Sequence, residues 1–246
     1  MTTLRLMVCP HDTANDPDRW YTFAQYLSQQ LHKQIDISVF FEISLDFQDF
    51  HEHMQSADIV YANPADTITL IDQQGGFALV RPDGHYDEVV FIANHAVDAP
   101  TLKSLQHVSI ASVANLVPTK IALHMLAERS IEPQEVTHYD SWLSVIGAVW
   151  RDEVRFGLVY KDTYDELSEQ GKQMTQAFLV SQEQKAFHAL VLKPSAIPHR
   201  QVIESILLGM EHDEHGKEVL QELHMTHWVP IHEHEIADIR HLLQTY

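Results

Sequence analysis

Two stretches of the chain place polar groups where short apolar runs stop. Ala57-Asp58-Ile59-Val60-Tyr61-Ala62 reads as a strand broken by Asn63-Pro64, and Arg81-Pro82-Asp83-Gly84-His85-Tyr86-Asp87-Glu88 reads as a turn feeding the apolar run Val89-Val90-Phe91-Ile92-Ala93. A strand that stops at a polar turn is where α/β sheets collect ligands, because the carboxyl ends of the strands open onto a crevice. The chemistry expected of such residues is recognition. No GxGxxG, GxxxxGK[ST], GxSxG or CxxC pattern is present to supply a phosphate cradle, a nucleophile or a redox pair.

Metal chemistry needs separate weighing, because the chain has 18 histidines. The densest groups are His51-Glu52-His53, His212-Asp213-Glu214-His215 and His232-Glu233-His234-Glu235. None forms HExxH. His212 and His215 share a helix face by spacing, but a zinc site needs a third ligand and a supporting shell. These groups stand in charge-rich segments and are expected to be solvated surface, so no metal and no cofactor is assigned. The one cysteine, Cys9, ends an apolar strand and reads as an inert core thiol. In the polar loop that follows it, His11, Asp12 and Thr13 are the titratable and capping residues.

At 246 residues the chain can bury one large core or two modest ones. Hydrophobic content of 45%, with only 8 Gly and 10 Pro, excludes a low-complexity chain. The apolar runs are too short to cross a bilayer. A formal charge of -19, without a Lys/Arg stripe, argues against nucleic acid or an anionic membrane as partner. It does not argue against a small anion, since distant surface charge is screened over about 8 Å at physiological salt. Met1 to Cys9 begins directly as a strand, with no basic and apolar leader. A periplasmic placement is therefore expected if a leader has been removed ahead of it, and a cytoplasmic one if Met1 is the native start.

Elements that would position these residues follow from periodicity. Strands are predicted at Leu4–Val8, Ile35–Phe41, Ile59–Tyr61, Val89–Ala93, Val108–Ala111, Val136–Tyr139, Arg155–Val159, Phe178–Val180 and Phe187–Leu192. Trp20, Phe23, Leu27 and Leu31 recur on one helix face, and Phe47, Phe50 and Met54 mark a short helix on which Phe47 is expected to pack. Ala65 to Gln73 gives another helix, stopped by Gly75-Gly76. A helix opens near Leu116-Val117-Pro118, with Pro118 tolerated in its first turn, and Trp142 to Val149 forms the next. Three amphipathic helices, Ile203–Met210, Gly216–Leu223 and Ile236–Leu243, close the chain. The grammar is strand-helix throughout, which predicts an α/β fold.

With that order of elements, Ala57 to Asn63, Gly84 to Val90, Ser112 to Pro118 and Trp142 to Tyr160 resemble the phosphate/phosphite/phosphonate-binding proteins of ABC transporters. The resemblance covers essentially the whole chain. It implies a two-lobed type II periplasmic-binding-protein-like fold with a central ligand cleft, and a solute binder without chemistry. In that family a Ser/Thr-rich loop opening a helix in the second lobe holds the ligand, together with aromatic residues of the first lobe, a His and a carboxylate. The resemblance thus implies ligand contacts at Tyr61, Asn63, Tyr86, Ser112, Asn115, Trp142, Tyr160 and Asp162.

Each assignment has a plainer reading. Tyr61 and Tyr86 are also compatible with ordinary half-buried tyrosines. Asn63 could simply organise the Asn-Pro turn, and Asn115 could cap the helix. Asp162 could be the N-cap of a helix over Thr163–Leu167.

Departures from the family pattern bear on the ligand. The hydroxyl-rich run becomes Ala111-Ser112-Val113-Ala114-Asn115, which keeps one hydroxyl and adds one amide. Amides at the helix start still favour an anion, but each missing hydroxyl removes a hydrogen bond worth roughly 0.5–1.5 kcal/mol. Trp142 stands where the family His falls, so a donor has become an aromatic wall. The chain is expected not to be a phosphonate specialist, and a less charged or larger ligand fits better.

Expected domains are lobe 1 over 1–93 and 187–246 and lobe 2 over 94–186, with two crossing strands as hinge and closure around a small anionic or polar solute. The expected partners are that small molecule and an ABC-transporter permease or a sensor protein. Two other classes stay open at this point. One is an enzyme on this fold, which would need His11 or Asp162 as actor; the other is a metal-responsive protein using the His-rich surface.

Overall fold

A computed structural model of the chain describes residues 2–14, 16–44 and 46–245. They form two compact units. The first consists of the chain up to His85 with Phe187–Ile236, and the second of Tyr86–Ala186 with the segment from Ala237 onward.

Unit 1 opens with β1 (Thr2–Val8), α1 (Pro10–Thr13), α2 (Asp18–Ile35), β2 (Ile37–Glu42), α3 (Phe47–His53), β3 (Ile59–Ala62), α4 (Pro64–Gln74) and β4 (Phe77–Pro82). Strand alternation sends Leu4, Leu6 and Val8 to one face, where Trp20, Phe23, Leu27 and Leu31 of α2 bury against them. The helix stops at Asp36, whose φ of 54° is left-handed and whose N–H returns to the His32 carbonyl. β2 therefore starts at Ile37, two residues later than expected. The polar loop after β1 is a short helix, α1. On α3, Phe50 is buried while Phe47 is exposed, which corrects the expectation that Phe47 packs.

Unit 2 holds β5 (Val89–Ala93), β6 (Ser109–Val113), α5 (Val117–Glu128), β7 (Glu135–Tyr139), α6 (Trp142–Trp150), β8 (Phe156–Tyr160), α7 (Lys161–Asp165), α8 (Glu169–Lys172) and β9 (Gln176–Val180). The strand order is β7-β6-β8-β5-β9, with β6 parallel to β7 and β8, and β5 antiparallel to β8 and β9. Alternation divides two packed layers. Val89, Phe91 and Ile110 face Ile121, Met125 and Leu126 of α5, whereas Val90, Ile92 and Ala111 face Val145, Ile146 and Val149 of α6. Gly157 in β8 admits that second layer, because a Cβ there would stand 2.9 Å from Val149 Cγ2 and 3.0 Å from Val145 Cγ1.

The chain then returns through β10 (Ala189–Leu192), α9 (Arg200–Gly209), α10 (Glu214–Glu222), β11 (Trp228–Pro230) and α11 (Glu233–Thr245). In unit 1 the strand order is β11-β4-β10-β3-β1-β2, parallel across β2-β1-β3 and antiparallel from β3 through β10 and β4 to β11. β4 and β11 are strands that periodicity did not reveal.

Two boundaries differ from expectation. Val89–Ala93, placed in lobe 1, pairs residue for residue with β8 and belongs to the second sheet. The chain's last helix divides as well. Glu235 accepts from Arg81 at 2.9 Å in unit 1, but Leu242 lies in the core of unit 2 and the Leu243 carbonyl accepts from Lys120. The first crossing consequently falls at His85/Tyr86, and the segment from Ala237 onward counts with unit 2.

Candidate functional site

Each sheet has a point where helices leave adjacent parallel strands on opposite faces. In unit 2 this is β6 and β7, followed by α5 and α6. In unit 1 it is β1 and β3: α2 covers the face of Ile59 and Tyr61, while Val60 and the α4 residue Leu70 lie outside that core cluster. Such switch points open a crevice at the strands' carboxyl ends, and most of the candidate residues stand there.

In unit 2, Ser112 is fully buried near the end of β6 and its Oγ lies 2.6 Å from Thr119 Oγ1. Thr119 donates its own proton to the Val113 carbonyl at 2.7 Å. Ser112 is therefore the donor of the pair, and its hydroxyl ties β6 to the first turn of α5. The hydroxyl expected to face an anion makes a structural hydrogen bond here. Ser112→Ala should lower stability by about 1 kcal/mol and leave solute affinity within twofold, a result read from thermal melts and calorimetry on the same variant.

Asn115 is exposed in the left-handed region at φ 60° and does not cap α5, whose N-cap position is Leu116, with no side chain accepting from the first turn. The first turn of α5 carries amides at Val117 and Thr119 but none at Pro118, and a helix N-terminus in general favours an anion. Trp142 is the first residue of α6, half-buried against Val145 and its neighbours, behind a cap in which Ser141 accepts from the Ser144 amide at 3.1 Å.

The β8 end supplies the acidic groups. Tyr160 is buried, and its hydroxyl lies 3.0 Å from Asp87 Oδ1 and 2.8 Å from Asp162 Oδ2. Tyr160 occupies the N-cap position of α7 and Asp162 its first turn, so Asp162 is not the cap of a later helix. Tyr86 is half-buried immediately before Asp87. Burial first, and then the charges of Asp87 and Asp162, hold the Tyr160 phenol well above its ordinary ionisation range. Raising the folded-state value stabilises the fold below the unfolded phenol pKa of about 10. That contribution shrinks as pH rises beyond it. Absorbance at 295 nm in the native state should therefore show late-ionising phenols, Tyr26 among them, and Tyr160→Phe should reduce that step by one phenol; an unchanged titration would disprove the assignment.

Glu88, beside Asp87, is also buried, and its role is structural. Its carboxylate accepts from the Ser181 hydroxyl and from the amides of Gln184 at 2.9 Å and Glu183 at 3.3 Å.

In unit 1, Asn63 caps α4. Its Oδ1 accepts from the Asp66 amide at 2.9 Å, and its Nδ2 donates to Asp66 Oδ2 at 2.7 Å. Asp66 Oδ1 meets His51 Nε2 at 2.9 Å, extending the network across α3. Asn63 thus organises the Asn-Pro turn. Cys9 is buried behind it, and burial pushes its thiol pKa up, away from nucleophilic use.

Tyr61 is buried, its ring 4.5 Å from Trp20, 5.7 Å from His188 and 6.0 Å from Trp228. It builds the core under the crevice and does not face it openly. Sequence reasoning missed the pair beside it, His188 Nδ1 and Asp12 Oδ2 at 2.8 Å, with His11 6.0 Å from the His188 ring. Trp20 Nε1 and Arg19 Nη2 both donate to the Asp12 carbonyl, at 3.1 and 2.7 Å, fixing the loop that carries Asp12. The only local signal was the polar run after β1.

The histidine-rich groups have separate local partners: His51 and His53 pair with Asp66 and Asp49 at 2.9 and 3.0 Å, His215 meets the Tyr26 ring edge-on, and the His232 and His234 rings stack 5.7 Å apart. Among the described residues no group of three or more His, Cys, Asp or Glu is arranged to hold a metal, and no helix is long and apolar enough to cross a membrane.

Two α/β units, each presenting polar loops at a strand switch point, define a binding protein of the periplasmic type. The family model described as "ABC transporter, phosphonate, periplasmic substrate-binding protein" matches residues 7–236, and the chain belongs to that family. Members bind a small molecule and serve a transporter permease.

Similar solved structures agree in fold. XAC2383 from Xanthomonas citri, bound to chloride, superposes with a TM-score of 0.75 at 14% identity over 99% of this chain and 96% of its own. PhnD1 from Prochlorococcus marinus, in complex with methylphosphonate, gives 0.72 at 13% over 98% and 97%. The periplasmic aliphatic sulphonate binding protein SsuA from Escherichia coli gives 0.67 at 13% over 99% and 86%. No curated protein sequence matches the chain.

Proposed function

We propose that this chain binds a small organic oxyanion of the phosphonate or sulfonate type and presents it to an ABC-transporter permease outside the cytoplasmic membrane. The observation that carries the reading is the family match over residues 7–236, on a chain whose candidate residues cluster at carboxyl ends of strands. Chloride, methylphosphonate and aliphatic sulphonate in the names of three structural neighbours support an anionic ligand.

In this reading the uncapped first turn of α5 attracts the anionic head, and Asp162 beside Tyr160 accepts from an amine or protonated oxygen of the solute. Tyr86, Asn115 and Trp142 complete the contacts proposed in unit 2. In unit 1 the contacts are proposed from the loops that Tyr61 and Asn63 hold in place, and catalysis has no role.

The test is a thermal-shift panel of phosphonates, sulfonates, phosphate and carboxylates. A ligand at a hundred times its Kd stabilises the folded form by about 2.7 kcal/mol, which for a chain of this size raises Tm by roughly 5–10 °C. Phosphonates or sulfonates should give that rise. A panel without any shift from these heads would refute the ligand class.

A further inference from the structure

Unit 2 has a second concave surface, at the end of its sheet opposite the crevice. α5 starts from the carboxyl end of β6 and runs back along the sheet, so Arg129 and Ile131, just beyond its last turn, stand near the amino ends of β6 and β7. The short turn Leu102–Leu105 is tied to the same end. There the His107 amide donates to the Glu132 carbonyl and the Gln134 amide to that of Val108, each at 2.9 Å. Together with the edge strand β9 these segments enclose a groove of about 560 Å³, whose walls include Leu102, Lys103, Arg129, Ile131, Phe178 and Leu179.

A bulge supplies its aromatic wall. Leu179 pairs with Phe91 and Ala177 with Ile92, which leaves Phe178 as an extra residue in β9. Regular alternation would send Phe178 to the α6 face, away from Leu179; the bulge brings both to the α5 face, with the Phe178 ring 6.1 Å from Phe91 and 6.2 Å from Phe156. The same bulge interrupts the outer ladder and disfavours an added peptide strand. A concave, mainly apolar surface of this size suits a small molecule.

The charge of the groove selects the sign of that molecule. Two cations and no carboxylate line it, on a chain of formal charge -19. Lys103 is exposed and has no ion pair among the described residues. Arg129 donates through Nη1 to the Met125 carbonyl at 2.9 Å and stands 3.8 Å from Glu128 Oε2, so one carboxylate offsets only part of the local positive charge. Two cations at the rim of a hydrocarbon wall match a molecule with one anionic head and one apolar tail.

We infer that this groove binds a medium-chain carboxylate, with its tail on Ile131, Phe178 and Leu179 and its head at Lys103 and Arg129. The site is separate from the crevice, and it does not depend on which solute the crevice receives.

Calorimetry on the whole chain with octanoate, decanoate and decanol tests the inference, repeated on a Lys103→Ala/Arg129→Ala variant. Decanoate should bind about fourfold more tightly than octanoate, because each of its two added methylenes on a half-open wall is worth about twofold. Decanol, which lacks the charge that the cations receive, should bind about tenfold more weakly than decanoate. The variant should lose about tenfold for decanoate and hold decanol within twofold. It should melt close to the wild type, since both substituted side chains are exposed. Absence of decanoate binding, decanol binding as tight as decanoate, or a decanoate affinity that the variant retains would overturn the site.

Discussion

Glu88→Ala is expected to lose about 2–3 kcal/mol of stability, because it strands the buried Ser181 hydroxyl and takes the acceptor from two amides of the half-open segment that follows. The wild-type carboxylate collects the Ser181 hydroxyl and the amides of Glu183 and Gln184, and the Glu88 carbonyl accepts from Lys161 at 2.9 Å. Ser181 in turn accepts from the Val89 amide at 2.8 Å. One residue therefore holds the segment after β9 against the start of β5, next to the Asp87–Tyr160–Asp162 group. For a chain of this size the loss corresponds to a drop in Tm of roughly 5–10 °C. Glu88→Gln keeps one acceptor oxygen and should fall about halfway. Circular dichroism melts decide the matter, and a loss below 1 kcal/mol for the alanine variant would show that these contacts do not hold the segment.

Trp20→Ala should be more severe, about 3–5 kcal/mol, the range for emptying a buried aromatic site. Trp20 is fully buried, with Phe23 5.6 Å and Tyr61 4.5 Å from its ring. Its indole N–H also holds the Asp12 carbonyl. Trp20→Phe should retain most of the packing and lose about 1 kcal/mol through that hydrogen bond. Because the Asp12 amide donates to Cys9, hydrogen exchange at Asp12 should accelerate in both variants beyond the change in global stability. Exchange that tracks global stability alone would mean that Trp20 supports only the core.

Much of the architecture was legible because apolar runs bounded by polar turns are local. The strands at Leu4–Val8 and Ile59–Tyr61 and the helix face of Trp20, Phe23, Leu27 and Leu31 needed only side-chain periodicity. β4 and β11 escaped because one is followed directly by the polar turn after Pro82 and the other has three residues. Val89–Ala93 read correctly as a buried strand, but an all-apolar strand carries no sign of which sheet it joins.

The site was less legible, since its contacts are distant in sequence. Asp12 and His188 are separated by 176 positions and Asp87 and Tyr160 by 73. Ser112 was noticed for its hydroxyl, yet its partner Thr119 lies on the next helix, so its role depends on how α5 docks. The resemblance to phosphonate-binding proteins was carried by element order and short segments, and the family match shares that reach.

The claim that these carboxyl-end loops receive the solute is tested most directly by hydrogen exchange on the purified chain with and without saturating butylphosphonate. The account predicts slowed exchange in the first turn of α5, at Val117 and Thr119, and in the segments that carry Asp12 and Asn63, with the outer helices α9 and α10 unchanged beyond global stabilisation. Protection confined to α9 and α10, or no change in the first turn of α5 under saturation, would contradict it.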